Sequence, residues 1–183
     1  MLTFLSSVDT TILTFFVSHR TDLGLLFFRY LTELASPATG TALVLFLGYY
    51  FFDQRKWQLG LYNLIGFLFA EASTWLLKYL IGRPRPDVLY HAVTETSFSF
   101  PSGHATTAAF IFGLIGYLAS THTTSISTKR WILLLTVLSI LLIDLSRLFL
   151  GVHYLSDVLA GNLVGLICLG IILHLERKQN KRV

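Results

Sequence analysis

The stretch Ser146-Arg147-Leu148-Phe149-Leu150-Gly151-Val152-His153-Tyr154-Leu155-Ser156-Asp157 lies between two strongly apolar runs, residues 131–143 and 158–173. Ionisable side chains this close to bilayer-like sequence are costly to desolvate, and by default they point to function. His153 and Asp157 are four residues apart. A helix beginning near His153 places them on one face. The carboxylate then accepts from one imidazole nitrogen and leaves the other free as base or nucleophile. Arg147 adds a planar fork suited to phosphate or carboxylate. A capping aspartate beside a packed histidine is the structural alternative, and this stretch alone does not decide between the two.

Composition sets the class. Of 183 residues, 54% are hydrophobic, 14% aromatic and only 13% charged, and the mean hydropathy is +0.65. A soluble domain of this length carries roughly twice that share of charge. The expectation is an all-α, polytopic transmembrane bundle forming a single domain over 1–183. Cys168 is the only cysteine and lies in an apolar run, so neither an intramolecular disulfide nor a cysteine-based metal site is expected. The net charge of +4 comes from basic residues at the ends of apolar segments, which concerns topology rather than nucleic acid. The first residues lack the basic region and cleavage site of a signal peptide, so no removal is expected.

Residues 1–35 read as two short amphipathic helices broken at 18–21 and lying in the membrane interface. A first span there, making six in place of five, is the alternative. Five clear spans follow at about 38–52, 57–80, 103–120, 131–150 and 153–175. They form a helical core of 36–175 before a basic tail at 176–183. Gly82-Arg83-Pro84-Arg85-Pro86 ends the second span, because proline cannot continue a helix. Arg55, Lys56, Lys129, Arg130, Arg177, Lys178, Lys181 and Arg182 then share one side, which the positive-inside rule makes cytoplasmic. The C-terminus is expected there. The 81–102 loop and the 147–157 stretch are expected on the extracytoplasmic face of the cell membrane.

Three polar groups meet on that outer face. Lys78 closes a helix, where a cation suits the dipole. Arg85 lies past a proline, where the chain can turn back over the helix mouth, and Arg83 is near enough to be confused with it. Pro101-Ser102-Gly103-His104 opens another helix. Ser102 is placed to cap it, Gly103 lets a ligand approach the backbone, and the free N–H groups of the first turn suit phosphate. His104 projects into the same region. With the opening stretch, these residues combine three cations, a helix N-terminus, two histidines and a carboxylate, which is a site for a phosphate ester or anhydride. Glu71 and Asp144 are expected to support it, by pairing with a basic site residue or by hydrogen bonding inside the bundle. His91 and Glu95 lie in the outer loop, where a solvated position is favoured over contact with a substrate headgroup.

Lys78-x6-Arg85-Pro86, Pro101-Ser102-Gly103-His104 and Ser146-Arg147-x5-His153-x3-Asp157 resemble, in order and spacing, the three-part signature of the type 2 phosphatidic acid phosphatase (PAP2) family. The resemblance covers about residues 35–175. It implies a lipid phosphatase in which His153 attacks phosphorus to form a phosphohistidine and Asp157 orients it. His104 would protonate the leaving oxygen and then activate water. Lys78, Arg85, Arg147, Ser102 and Gly103 would bind the phosphoryl oxygens, with no metal or other cofactor required. The implied partner is a lipid phosphate or diphosphate entering from the bilayer, with vanadate as a competing mimic. Small members resembling this chain include undecaprenyl-diphosphate and phosphatidylglycerophosphate phosphatases. Compact size and an outward site favour undecaprenyl diphosphate as substrate. Phosphatidylglycerophosphate or phosphatidic acid is the alternative, followed by lipid A 1-phosphate. A non-catalytic lipid-phosphate binder or transporter is the contrasting class, and intact His153, His104 and Asp157 argue against it.

Overall fold

A computed structural model describes residues 2–180, whose regular elements are all helical. They are α1 (Leu2–Ser18), α2 (Asp22–Glu33), α3 (Pro37–Asp53), α4 (Trp57–Ile81), α5 (Gly103–Thr121), α6 (Ile126–Phe149) and α7 (Leu155–Asn180), with a short 3₁₀ turn at Val88–Tyr90. Local chemistry sets most of the ends. Thr21, Ser36, Ser102 and Ser125 stand in extended backbone and accept from an N–H in the following first turn, which is how short hydroxyl side chains start helices. Pro37 opens α3, where its missing N–H has no helical partner to lose. α4 stops at Gly82, whose left-handed φ of 61° suits glycine.

Among the described residues, four stretches are long and apolar enough to cross a membrane: Asp22–Asp53, Trp57–Ile81, Ile126–Phe149 and Leu155–Lys178. Five clear spans were expected, and the difference is α5, which is absent from the set; the expected 38–52 span is present, joined to α2 in one apolar stretch. α5 is the central helix, and its residues from Ala105 to Ile111 are all buried. Protein encloses its first half, so those residues need not face lipid, and Thr106 and Thr107 are buried there. Lipid-type surface lies elsewhere, where Phe46, Trp75, Leu133, Leu135, Leu163 and Ile167 are exposed on α3, α4, α6 and α7. The fold is an all-α membrane bundle.

Small residues bring α7 against α5. A Cβ on Gly161 would collide with the Ser102 carbonyl and lie 2.9 Å from the Ala105 Cβ, and one on Gly165 would lie 2.9 Å from the Ala109 Cβ. Small residues four apart let backbones close up where lipid supplies no hydrophobic drive. The approach joins the first turns of both helices, and Ser102 N–H donates to the Asp157 carbonyl at 2.9 Å. On the other side of α5, Phe67 and Ala70 of α4 meet Phe110, Ile111 and Leu114 in the main core.

The two N-terminal helices form with the expected break between them. α1 packs on α6 and α7, burying Leu13 and Asp9, and α2 packs on α6. One boundary that differs from expectation bears on the site. α7 begins at Leu155, after His153. Gly151 takes a φ of 72°, and the Tyr90 carbonyl and Arg20 guanidinium fill the space a Cβ would need. The chain therefore turns sharply after α6, and His153 stands in that turn. His153 and Asp157 do not share a helical face; they meet across the turn.

Candidate active site

Four helix ends deliver polar residues to one end of the bundle. Lys78 comes from the last turn of α4 and Arg147 from the last turn of α6. Ser102, Gly103 and His104 open α5, and Asp157 lies in the first turn of α7. Arg85, Glu95 and Ser99 come from the loop between α4 and α5.

His153 lies at the centre and is 1% exposed. Its Nδ1 faces Ser99 Oγ at 3.4 Å and Asp157 Oδ2 at 3.5 Å, and its Nε2 lies 3.1 Å from Arg85 Nη1. Ser99 donates to Asp157 Oδ2 at 2.5 Å. A hydroxyl thus links carboxylate and imidazole where a direct bond was expected. These partners assign the proton to Nδ1 and leave the Nε2 lone pair facing the cations. Burial, reinforced by Arg147, Arg85 and Lys78, holds this imidazole in the turn outside both helices well below the ordinary histidine pKa. The uncharged base is the form present at neutral pH.

Asp157 is fully buried and shares out its oxygens. Oδ1 accepts from Arg83 Nη1 at 2.6 Å, and Oδ2 accepts from the Ser99 hydroxyl and from the Tyr154 N–H at 2.8 Å. Arg83 and Arg85, confusable in sequence, are separated by the proline between them. Arg83 turns to Asp157, Asp9 and Ser156, whereas Arg85 turns to His153.

The cations are anchored by backbone. Lys78 Nζ donates to the Phe98 carbonyl at 2.6 Å, and Arg85 donates to the Ser97 and Val152 carbonyls at 2.7 and 2.9 Å. Arg147 donates to Thr32 Oγ1 at 3.1 Å and to Glu95 Oε1, while its buried Nε has no hydrogen-bond partner among the described residues. Glu95 bridges Arg147 and Arg85, the latter at 3.2 Å. The expected solvated position for Glu95 is therefore corrected: two desolvated guanidiniums draw the nearest carboxylate between them. His91, also expected in solvent, is half-buried with Nε2 3.0 Å from the Pro86 carbonyl. Both line a cavity of about 290 Å³ that reaches Lys78 and Arg85.

His104 is half-buried and within electrostatic reach of Arg147, His153, Arg85 and Lys78. Ser102 caps α5 with its Oγ 3.5 Å from the Ala105 N–H. A Cβ on Gly103 would find only Pro37 Cγ, at 3.9 Å, so the backbone there is open to a ligand. Of the two supporting carboxylates, Glu71 accepts from Thr107 at 2.7 Å and Asp144 from Asn162 at 2.6 Å. Each takes the hydrogen-bonded form of its two expected roles. Sequence reasoning passed over Ser99, Ser156 and Asp9. No local pattern marks the two serines. Asp9 leaves a trace, because it shares a helical stripe with Leu13 and Phe16.

Residues 56–181 match the PAP2 superfamily. Phosphatidylglycerophosphatase B of Bacillus subtilis (strain 168) is 33% identical over 149 residues, which are 81% of this chain and 73% of that protein. An undecaprenyl-diphosphatase of Sulfolobus acidocaldarius is 27% identical over 117 residues, 61% of this chain and 52% of that protein. The crystal structure of a transmembrane PAP2 type phosphatidylglycerolphosphate phosphatase from Bacillus subtilis aligns with a TM-score of 0.85 at 31% identity, covering 94% of this chain and 86% of that one. A match over most of the chain, on the same membrane fold, places this chain in the PAP2 superfamily as a membrane-embedded lipid phosphatase.

Proposed function

We propose that the chain removes the terminal phosphate of a glycerophospholipid, phosphatidylglycerophosphate foremost, at the extracytoplasmic face of the cell membrane. One observation carries the chemistry: the unprotonated Nε2 of His153 lies 3.1 Å from Arg85 within a cluster of cations. Nε2 attacks phosphorus in line, and an N–P bond forms as the ester P–O bond breaks. His104 gives its proton to the departing alcohol oxygen. Water then bonds to phosphorus as the N–P bond breaks, His104 takes the water proton, and inorganic phosphate leaves. Charge in both transfers spreads over the equatorial oxygens, so fixed donors do much of the work. Lys78, Arg85 and Arg147 supply them, with the Ser102 hydroxyl and Gly103 N–H. Arg147 Nε, buried and unpartnered, is a donor ready for a phosphoryl oxygen. Glu95 marks the place, since its carboxylate bridges both guanidiniums and must yield to the incoming phosphate.

Likeness to the Bacillus subtilis phosphatidylglycerophosphatase supports a glycerophospholipid over the polyprenyl diphosphate that compact size and an outward site favoured. Likeness to the Sulfolobus undecaprenyl-diphosphatase supports undecaprenyl diphosphate as the second reading. The side rests on charge: Arg55, Lys56, Lys129, Arg130, Arg177 and Lys178 belong to the helix ends opposite the site. The test is phosphate release by purified protein in detergent from phosphatidylglycerophosphate, phosphatidic acid, undecaprenyl diphosphate and a lipid A diphosphate, with His153→Ala as the blank. The expected result is the highest kcat/KM on phosphatidylglycerophosphate, with vanadate competing. A preference for undecaprenyl diphosphate would install the second reading, and no release from any lipid would restore a binder or transporter.

A further inference from the structure

Asp9 lies outside the 56–181 match, yet it is 3% exposed on the packed face of α1. A buried carboxylate is costly unless it is paired and hydrogen-bonded. Its Oδ2 accepts from Arg83 Nη2 at 2.7 Å and from Ser156 Oγ at 2.5 Å, and its Oδ1 accepts from Ser156 N–H at 2.9 Å. Ser156 opens α7 beside Asp157, so Asp9 caps from α1 the helix that carries the site carboxylate. Arg83 completes the link, with Nη1 2.6 Å from Asp157 Oδ1 and 2.6 Å from Ser156 Oγ. Its guanidinium also lies over the Tyr154 ring, 4.3 Å from the centroid. One arm of the fork holds each carboxylate, a bridging geometry that arginine's planar fork offers and lysine does not.

Given the phosphohistidine reading above, we propose that Asp9 and Arg83 are positioning residues for Asp157, so that the N-terminal helix is part of the catalytic apparatus. Asp157 does not grip His153 at close range. It reaches the imidazole at 3.5 Å and through the Ser99 hydroxyl. Such a relay tolerates little drift in the carboxylate, and Arg83 is the group that fixes its other oxygen. Arg83 without Asp9 keeps one arm unpaired and pulls harder on Asp157, which shifts both the position and the charge that Ser99 and His153 meet.

The test compares Asp9→Asn, Arg83→Gln and the double variant in the full chain in detergent, on the lipid phosphate that wild type turns over fastest. Asp9→Asn is expected to lower kcat about tenfold, the low end of what loss of a supporting partner costs, with KM changed by less than about twofold. The double variant is expected to fall no further than Arg83→Gln alone, because both act through one carboxylate. Exposed Asp22→Asn is the control that keeps kcat. Ser156→Ala removes only the hydroxyl between Asp9 and Arg83, and it repeats the test should Asp9→Asn fail to fold; a kcat loss of about threefold, the scale of one hydrogen bond, is expected. Wild-type kcat in either variant, or a lower melting temperature with kcat intact, would overturn the proposal. A wild-type chain inactive on every lipid would instead fail the phosphatase reading and this proposal with it, an outcome distinct from an active enzyme indifferent to Asp9.

Discussion

Ser99 changes how the His153–Asp157 pair works. Its hydroxyl donates a hydrogen bond to Asp157 and faces the imidazole, so orientation passes through a loop residue. The same burial that fixes His153 lowers its pKa, and this has a consequence for stability. The unfolded histidine titrates at roughly pH 6.5. As pH falls below that value the unfolded chain takes up a proton that the native His153 refuses, so stability is lost from there down to the lowered native value. The expected loss is about 1.4 kcal/mol for each pH unit within that window. Melting temperatures at about pH 7.5 and about pH 5.5 check it: wild type should fall further than His153→Asn, and equal falls would contradict the assignment. Lys78, Ser102, His104, Arg147 and Asp157 were legible as candidates in sequence because each stands near where a helix starts or stops, and Arg85 and His153 because they lie just beyond such an end. Ser99 and Glu95 were not, because they come from an irregular loop whose path depends on the cations it meets. Asp9 was half-legible, as an acid on an apolar stripe whose partner lies 74 residues away.

Helices place these residues, and two glycines set the closest approach. Gly161 faces the start of α5, where any Cβ would press on the Ser102 backbone. Gly170, on the same helix, has nothing within 4 Å of the same position. Gly161→Ala is therefore expected to cost about 1–3 kcal/mol by overpacking. It should also lower kcat, since Ser102 and Asp157 are bonded across that contact. Gly170→Ala should hold or slightly raise the melting temperature, because alanine favours helix. Equal responses in thermal melts and phosphate release would contradict this role for Gly161. Helix order and most ends followed from caps, prolines and apolar runs. The start of α7 did not, because apolar pattern runs through Val152 and Leu155 and only Gly151 signals the turn. The lack of a lipid-type signal in α5 has a related cause: its first half is buried against other helices and is built of small and polar residues, Ala105, Thr106, Thr107, Ala108 and Ala109.

On the scale of the whole molecule, apolar side chains cover the outer faces of α3, α4, α6 and α7, and the charged groups gather at the helix ends. The buried cations Lys78, Arg85 and Arg147 stand at one end with His153. A lipid can present its phosphate there while its hydrocarbon chains stay in the bilayer. Fold class and superfamily were both readable from composition and three motifs, whereas the network joining α1 to α7 needed three dimensions. The proposed mechanism turns on a single covalent event at one nitrogen, Nε2 of His153. The most direct measurement is a rapid acid-free quench of the full chain during turnover of a phosphate-labelled lipid, with the labelled residue mapped by mass spectrometry. The expected result is acid-labile, base-stable phosphate on His153, absent from His153→Ala. An enzyme that turns over without such a label, or that carries it on another residue, would contradict the role given to His153.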